Sequence, residues 1–262
     1  MDTILLNGTW SVCPAPFACA GEAGLREVVG STDGWLPAEV PGEVHLDLMR
    51  AGQMPDPSVS THMPECRWPE TRSWWYRTSF SLSEDFLTTE RQELVFDGLD
   101  LHAQVFVNGK RVGEAADAFV QMVFDVKPLL RSGPNDLVVR LTAGSELARD
   151  ETPPGQGHPW RPNSAVNGAI PNPIGGVVFP DLAPELQSDE SDALPGSEGS
   201  SSSLTGHRIW PGRKWLRKPQ FSYGWDLVDA LPNIGIWRGV HLEGRSHAVL
   251  HDVRLDTLLN GD

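Results

Sequence analysis

Cysteine is scarce: there are 3 in 262 residues, Cys13, Cys19 and Cys66, an odd count without metal-ligand spacing. That excludes a disulfide-stapled scaffold and predicts free thiols in a reducing compartment; a Cys13–Cys19 bridge is the alternative left open. Positive charge is also short, with 21 Lys and Arg against 35 Asp and Glu and a net charge of −14. Such a surface repels a phosphate backbone or an anionic bilayer, so neither nucleic acid nor membrane is expected as a partner, whereas uncharged carbohydrate is not excluded. No apolar run approaches the roughly 18 residues of a membrane-spanning helix. The N-terminus, Met1-Asp2-Thr3-Ile4-Leu5-Leu6, has an acid where a signal peptide needs a cation and only a short apolar run, which predicts a cytoplasmic protein. The 8 histidines show no zinc spacing, and Walker, dinucleotide and Gly-x-Ser-x-Gly fingerprints are missing, so neither cofactor nor metal is expected.

Tryptophan, in contrast, is abundant at 10 residues, and 3 of them fall between residues 214 and 237. That stretch, Lys214-Trp215-Leu216-Arg217-Lys218-Pro219-Gln220 through Gly224-Trp225-Asp226 to Ile236-Trp237, has no helical periodicity, and so much aromatic surface in a loop signals core or binding site.

Residues 9–29 carry short apolar pieces broken by Pro14, Pro16 and Gly21, which predicts two short strands joined by a loop. Val44, Leu48 and Ala51 share one helical face ahead of Gly52, giving one short helix. Strand signals then follow at residues 74–82, 93–96, 102–107, 110–112, 119–126 and 137–142. Asn108-Gly109 between two alternating runs is the strongest hairpin signal in the chain. Trp74 and Trp75 point to opposite faces of their strand, so only one of them is expected in the core. Asp97 and Asp100 flank Gly98 and read as turn formers, while Arg77 and Arg238 are expected to pair with acids across a sheet. Further strands are predicted at 234–242 and 248–257. Short strands with turns about every ten residues predict an all-β protein, a jelly-roll β-sandwich.

The β pattern stops over residues 145–207. Within 181–203 there are six acids (Asp181, Glu185, Asp189, Glu190, Asp192, Glu198), no Lys or Arg, and a Ser200–Ser203 tract, which predicts a long acidic loop insertion with a mobile centre. Five cations follow at Arg208, Arg213, Lys214, Arg217 and Lys218. The expected organisation is a sandwich over residues 1–245, with 246–262 beginning a further domain.

Five motifs in order carry a resemblance: Leu6-Asn7-Gly8-Thr9-Trp10; Val40-Pro41-Gly42-Glu43-Val44-His45; Trp74-Trp75-Tyr76-Arg77-Thr78; Phe96-Asp97-Gly98-Leu99-Asp100 with Val107-Asn108-Gly109; and Arg217-Lys218-Pro219-Gln220 through Gly224-Trp225-Asp226 to Ile234-Gly235-Ile236-Trp237-Arg238. Together they resemble the N-terminal sugar-binding domain of glycoside hydrolase family 2, and the last group resembles its β-mannosidase branch. The acidic insertion lies outside the resemblance.

The resemblance implies a galactose-binding-like jelly roll followed by immunoglobulin-like domains and a (β/α)₈ barrel. The barrel carries a glutamate acid/base and a glutamate nucleophile ~5 Å apart, as in retaining glycosidases. A barrel takes about 250 residues, so no catalytic residue is expected in this chain. The resemblance also implies that the Gly-Trp-Asp loop reaches the sugar, a β-mannoside or related β-glycoside, with Asp226 accepting sugar hydroxyls and Trp225 beside it as an apolar wall or loop anchor. Read from the residues alone, capping a turn serves equally for Asp226, and Trp225 is expected to pack under the loop. The branch usually continues Gly-Trp-Asp with a second tryptophan and Gly-Pro, where Leu227, Val228 and Asp229 stand here. A free-standing carbohydrate-binding module and a purely structural docking module are the other two functions consistent with the sequence.

Overall fold

The computed structural model describes residues 2–59, 61–148, 215–223, 230–246 and 254–257. Among the described residues, ten strands form two antiparallel sheets packed face to face. The larger sheet has six strands in spatial order β3 (Leu36–Val40), β2 (Gly8–Ala15), β4 (Ser73–Leu82), β9 (Gly133–Thr142), β6 (His102–Val107) and β7 (Lys110–Ala115). The smaller has four, β1 (Asp2–Leu5), β10 (Val240–Arg245), β5 (Arg91–Phe96) and β8 (Met122–Asp125). Strands far apart in sequence thus lie side by side, β1 on β10 and β4 on β9, as a jelly roll requires.

Alternation builds the core. Trp10 and Val12 from β2, Trp74 and Tyr76 from β4, Leu137, Val139 and Leu141 from β9, and Val105 and Val107 from β6 meet Leu94, Phe96, Val240 and Leu242 from the smaller sheet. Two of the core indoles satisfy their N–H groups locally: Trp10 Nε1 donates to Leu6 O at 2.8 Å and Trp74 Nε1 to Pro69 O at 2.9 Å. At the β6–β7 hairpin both Asn108 (φ 49°) and Gly109 (φ 80°) take the left-handed conformation that the Asn-Gly turn demands.

Three expectations need correction here. The second half of the 9–29 stretch is a helix, α1 (Gly21–Gly30), not a strand. It is held against the outer face of the larger sheet by side chains distant in sequence. Gln104 Oε1 accepts from Gly21 N at 3.0 Å, and Arg140 donates to Cys19 O and Phe17 O at 2.8 and 2.9 Å. As a result Trp75 is buried as completely as Trp74, in a second core of Cys13, Ala15, Phe106 and Val138 under Leu25 and Val28. Its ring stacks on Phe106 with centroids 5.8 Å apart. The arginines also differ: the Arg77 guanidinium lies 3.7 Å from the Trp35 ring centroid and that of Arg238 lies 4.1 Å from Trp237, cation–π contacts in place of the expected acid pairs.

The expected short helix is α2 (Val44–Arg50), and a single turn, α3 (Glu84–Leu87), precedes β5. The 234–242 prediction becomes a strand only from Val240; the residues before it form no strand and make one bridge, Gly235 to Asp100. Of the predicted 248–257 strand, only 254–257 is described and it forms no strand; the acidic centre of the insertion lies outside the described residues. All three cysteines are free thiols.

Candidate functional site

One end of the sandwich gathers five loops. They are the turn into α2 around Gly42 and Glu43, the 3-10 helices Met63–Cys66 and Trp68–Thr71, the turn between β5 and β6, the segment 215–223, and the run 230–239 into β10. Val44 N donates to Ile234 O at 2.8 Å and Gly42 N to Ile236 O at 2.9 Å, which ties the α2 turn to the last run. Asp100 and Gly235 exchange both backbone hydrogen bonds at 2.8 and 3.0 Å, and this ties the β5–β6 turn to the same run.

The segment 215–223 is laid across this end as a plate. Ala118 N donates to Arg217 O at 2.9 Å, and the Arg217 guanidinium meets Asp117 at 3.1 Å. The apolar side is small: Leu216 and Tyr223 pack with Leu101 and Ala118, and Tyr223 OH donates to Ala143 O at 3.2 Å. At the centre sits Lys218, whose side chain is 0% exposed. Its ammonium lies 2.6 Å from Asp100 Oδ1 and also donates to the Asn233 carbonyl.

A buried ammonium is costly unless its donors find partners, and here two of them do. Burial pushes Lys218 below its ordinary value, and the Asp100 carboxylate beside it pulls back. Asp100 is pushed up for the same reason, against the pull of Lys218, with Glu43 adding to the rise. A further buried acid is Glu70, in the 3-10 helix Trp68–Thr71. Wholly buried, it is pushed up to about 8 by desolvation, against the opposing pull of Arg67 and Lys218. Among the described residues neither of its carboxyl oxygens has a hydrogen-bond partner.

The outer face of the plate is aromatic and open. Phe119, Leu216, Arg217, Lys218, Pro219 and Gln220 line a shallow groove of about 440 Å³. Around it Trp215 is 49%, Phe119 54% and Phe221 64% exposed. The Arg217 guanidinium stands 5.8 Å from the Phe119 ring centroid. Exposed ring faces beside a guanidinium suit the C–H faces and hydroxyls of a sugar. No three His, Cys, Asp or Glu side chains converge as a metal site among the described residues.

Trp225 and Asp226 lie outside the described residues, but the chain on both sides of them is fixed. Leu231 N donates to Ser222 O at 3.0 Å, so the described chain on the two sides of residues 224–229 meets at a closed neck. Sequence reasoning missed the side chains beneath that neck. Asp100, read as a turn former, is the buried partner of Lys218, and Glu70 drew no attention. The signal available was Arg67-Trp68-Pro69-Glu70-Thr71-Arg72, three charged groups alternating with bulky residues and with no room for a solvated helix face.

Residues 23–172, over half of the chain, match the family model described as glycosyl hydrolase 2 galactose-binding domain-like. Together with the two-sheet sandwich, this defines the class: the chain belongs to that family, as an N-terminal, galactose-binding-like domain of glycoside hydrolase family 2. Within the family it resembles the β-mannosidases. It is 28% identical over 215 residues to β-mannosidase B of Aspergillus terreus, covering 81% of this chain and 20% of the relative. To β-mannosidase of Rattus norvegicus it is 25% identical over 215 residues, covering 82% of this chain and 20% of the relative. A solved β-D-mannosidase from Dictyoglomus thermophilum superposes with a TM-score of 0.63 at 28% identity, covering 94% of this chain and 23% of that one. The chain therefore spans about a fifth of the length of the relatives it matches.

Proposed function

We propose that this chain is the non-catalytic wall of a retaining, β-mannosidase-like sugar site. Asp226 accepts hydroxyl protons of a β-mannoside or related β-glycoside and Trp225 backs it, while hydrolysis falls to two glutamates on a separate barrel. The observation that supports this reading is the closed neck at Ser222 and Leu231, whose 3.0 Å backbone bond brings together the described chain on the two sides of residues 224–229. A carboxylate suits the role because it accepts two hydroxyl protons at once, and a fixed neck lowers the entropy lost on binding. The residues named here bind and orient; none supplies a nucleophile.

Two measurements test it. The chain alone, mixed with nitrophenyl β-mannoside and β-galactoside, is expected to give no turnover, and turnover lost in Asp226→Asn would sink the proposal. The coding sequence beyond codon 262 is expected to run on into immunoglobulin-like domains and a barrel. A stop codon there would favour the second reading, a free-standing carbohydrate-binding module, for which the open groove beside Trp215, Phe119 and Phe221 is the supporting observation. Calorimetry against β-mannan oligosaccharides separates the two, since only the module binds on its own.

A further inference from the structure

The strap of chain over residues 62–72, just ahead of β4, is folded on itself. Its two 3-10 helices, Met63–Cys66 and Trp68–Thr71, are separated by Arg67 alone. Among the described residues its backbone hydrogen bonds span only three positions: Glu65 N donates to His62 O at 2.9 Å, Glu70 N to Arg67 O at 3.2 Å and Arg72 N to Pro69 O at 3.3 Å. No strand ladder holds it. Side chains join it to the sandwich: Cys66 and Trp68 are buried in the main core, the Trp68 and Trp74 ring centroids are 5.6 Å apart, and Trp74 Nε1 donates to Pro69 O at 2.9 Å.

The next residue along is an acid. Glu70 is 1% exposed, neither of its carboxyl oxygens has a hydrogen-bond partner among the described residues, and Arg67 Nε stands 3.6 Å away, beyond direct hydrogen-bond reach. The charged and titratable groups that face it are Arg67 from the strap itself and Lys218 and Tyr223 from the segment 215–223. Lys218 in turn faces Asp100 and Glu43, and Tyr223 faces Glu146. Arg72, at the end of the strap, is turned to the Trp68 ring, 5.9 Å from its centroid. A neutral carboxyl survives in such a place at modest cost, but an ionised one does not, because desolvation of a charge far exceeds that of a neutral polar group.

We infer that Glu70 is a proton-operated latch: the strap lies closed on the sandwich while the carboxyl keeps its proton, and lifts to hydrate it when the proton leaves. Trp68 and Pro69 move with the strap, which frees the Trp74 indole. The latch stands independently of the sugar-site reading. In the closed strap burial pushes the acid up to about 8, against the pull of Arg67 and Lys218; hydrated in the lifted strap, it returns to an ordinary 4.5. The lifted form therefore ionises first. Lifting is expected to grow by about tenfold per pH unit between roughly 5 and 8 and to level off above about 8.

The indole N–H of Trp74 reports the latch, because its acceptor lies in the strap. Its hydrogen exchange is followed by NMR on the 262-residue chain from pH 5 to 9, corrected for the intrinsic rate of a free indole, beside the amides of the β4–β9 ladder. Protection of the Trp74 indole is expected to fall about tenfold per pH unit up to about pH 8, to stay at least about tenfold below that of the ladder, and to be insensitive to low urea, as local opening is. In Glu70→Gln, neutral at every pH, the fall is expected to vanish. A protection that is flat with pH in the unsubstituted chain, or a fall that persists in Glu70→Gln, would overturn the inference. If Glu70→Gln does not fold, the unsubstituted chain decides: a fall with pH at negligible urea dependence supports the latch. Trp74 opening only together with the ladder, at one urea dependence, would refute it, because unfolding of the whole sandwich would then be what frees the indole.

Discussion

Glu70 Oε1 lies 3.6 Å from Arg67 Nε with both groups inside the protein, yet the cation does not keep the acid ionised. Burial wins, and the carboxyl is pushed up to about 8 from an ordinary 4.5. The sign follows from proton counting. Between these two values the folded chain holds a proton that the unfolded chain has lost, so this contribution to stability is complete below about 4.5 and is lost as pH rises through about 8. Glu70→Gln, neutral at every pH, is expected to be more stable than the unsubstituted chain above pH 8, by on the order of 2–5 kcal/mol, and about equal at acid pH. Urea midpoints at a series of pH values measure this directly; parallel profiles for the two proteins would show that Glu70 is ionised in the fold.

Trp75 packs against Phe106 under α1, so the outer face of the larger sheet is a second core. Trp75→Ala is expected to cost about 3–5 kcal/mol, as a large-to-small change in any core does. The milder pair is more revealing. Trp74 donates to Pro69 O, whereas the Trp75 indole N–H has no partner among the described residues. Trp74→Phe is therefore expected to cost about 0.5–1.5 kcal/mol more than Trp75→Phe, the net value of one hydrogen bond. Equal losses in chemical denaturation would mean that the Trp74 bond contributes nothing.

Much of the sandwich was legible because its signals are local. Asn108-Gly109 specifies its hairpin through two positive φ angles, and β4 announces itself by alternation over Trp74 to Leu82. Helix α1 was not legible: it carries glycine at 21, 24 and 30, has no side-chain N-cap, and depends on Gln104 and Arg140 for its place. The expectation that only one of Trp74 and Trp75 is core failed with it, since one missed helix changes the environment of a whole sheet face. The site divides the same way. The Gly224-Trp225-Asp226 motif stands out in the chain, but Asp100 looks like any acid in a turn until its partner, 118 residues away, is seen against it.

The thiols offer an inexpensive check of how α1 and the loops cover the sandwich. Burial pushes Cys13 and Cys66 up to about 11, and only the thiolate is nucleophilic. Cys19 is also raised, by burial first and then by Glu27, but it is half-buried rather than enclosed. Iodoacetamide at pH 8 is expected to label Cys19 first, with Cys13 and Cys66 following only on unfolding. Intact-mass and peptide analysis reads the order, and early labelling of Cys66 would mean that the loop around Pro55 opens readily. A Cys13–Cys19 bridge would instead leave both unlabelled and the chain about two mass units lighter.

Two glycines separate the rim of the site from the rest of the surface. A Cβ on Gly235 would stand 2.4 Å from Gly42 O and 2.6 Å from Glu43 Cα, backbone on backbone, so something must move. What moves is the Gly235–Asp100 bridge or the Val44–Ile234 bond, and both position the Lys218 cluster. A Cβ on Gly30, at the end of α1, meets nothing within 4 Å. Gly235→Ala is expected to cost about 1–3 kcal/mol by overpacking, and its damage should concentrate at the Asp100 and Val44 amides in hydrogen exchange. Gly30→Ala is expected to be neutral or slightly stabilising through the less flexible unfolded chain. Equal stability for the two variants would mean that the loops at this end give way freely, and that the close backbone approach at Gly235 does not hold Asp100 and Val44 in place.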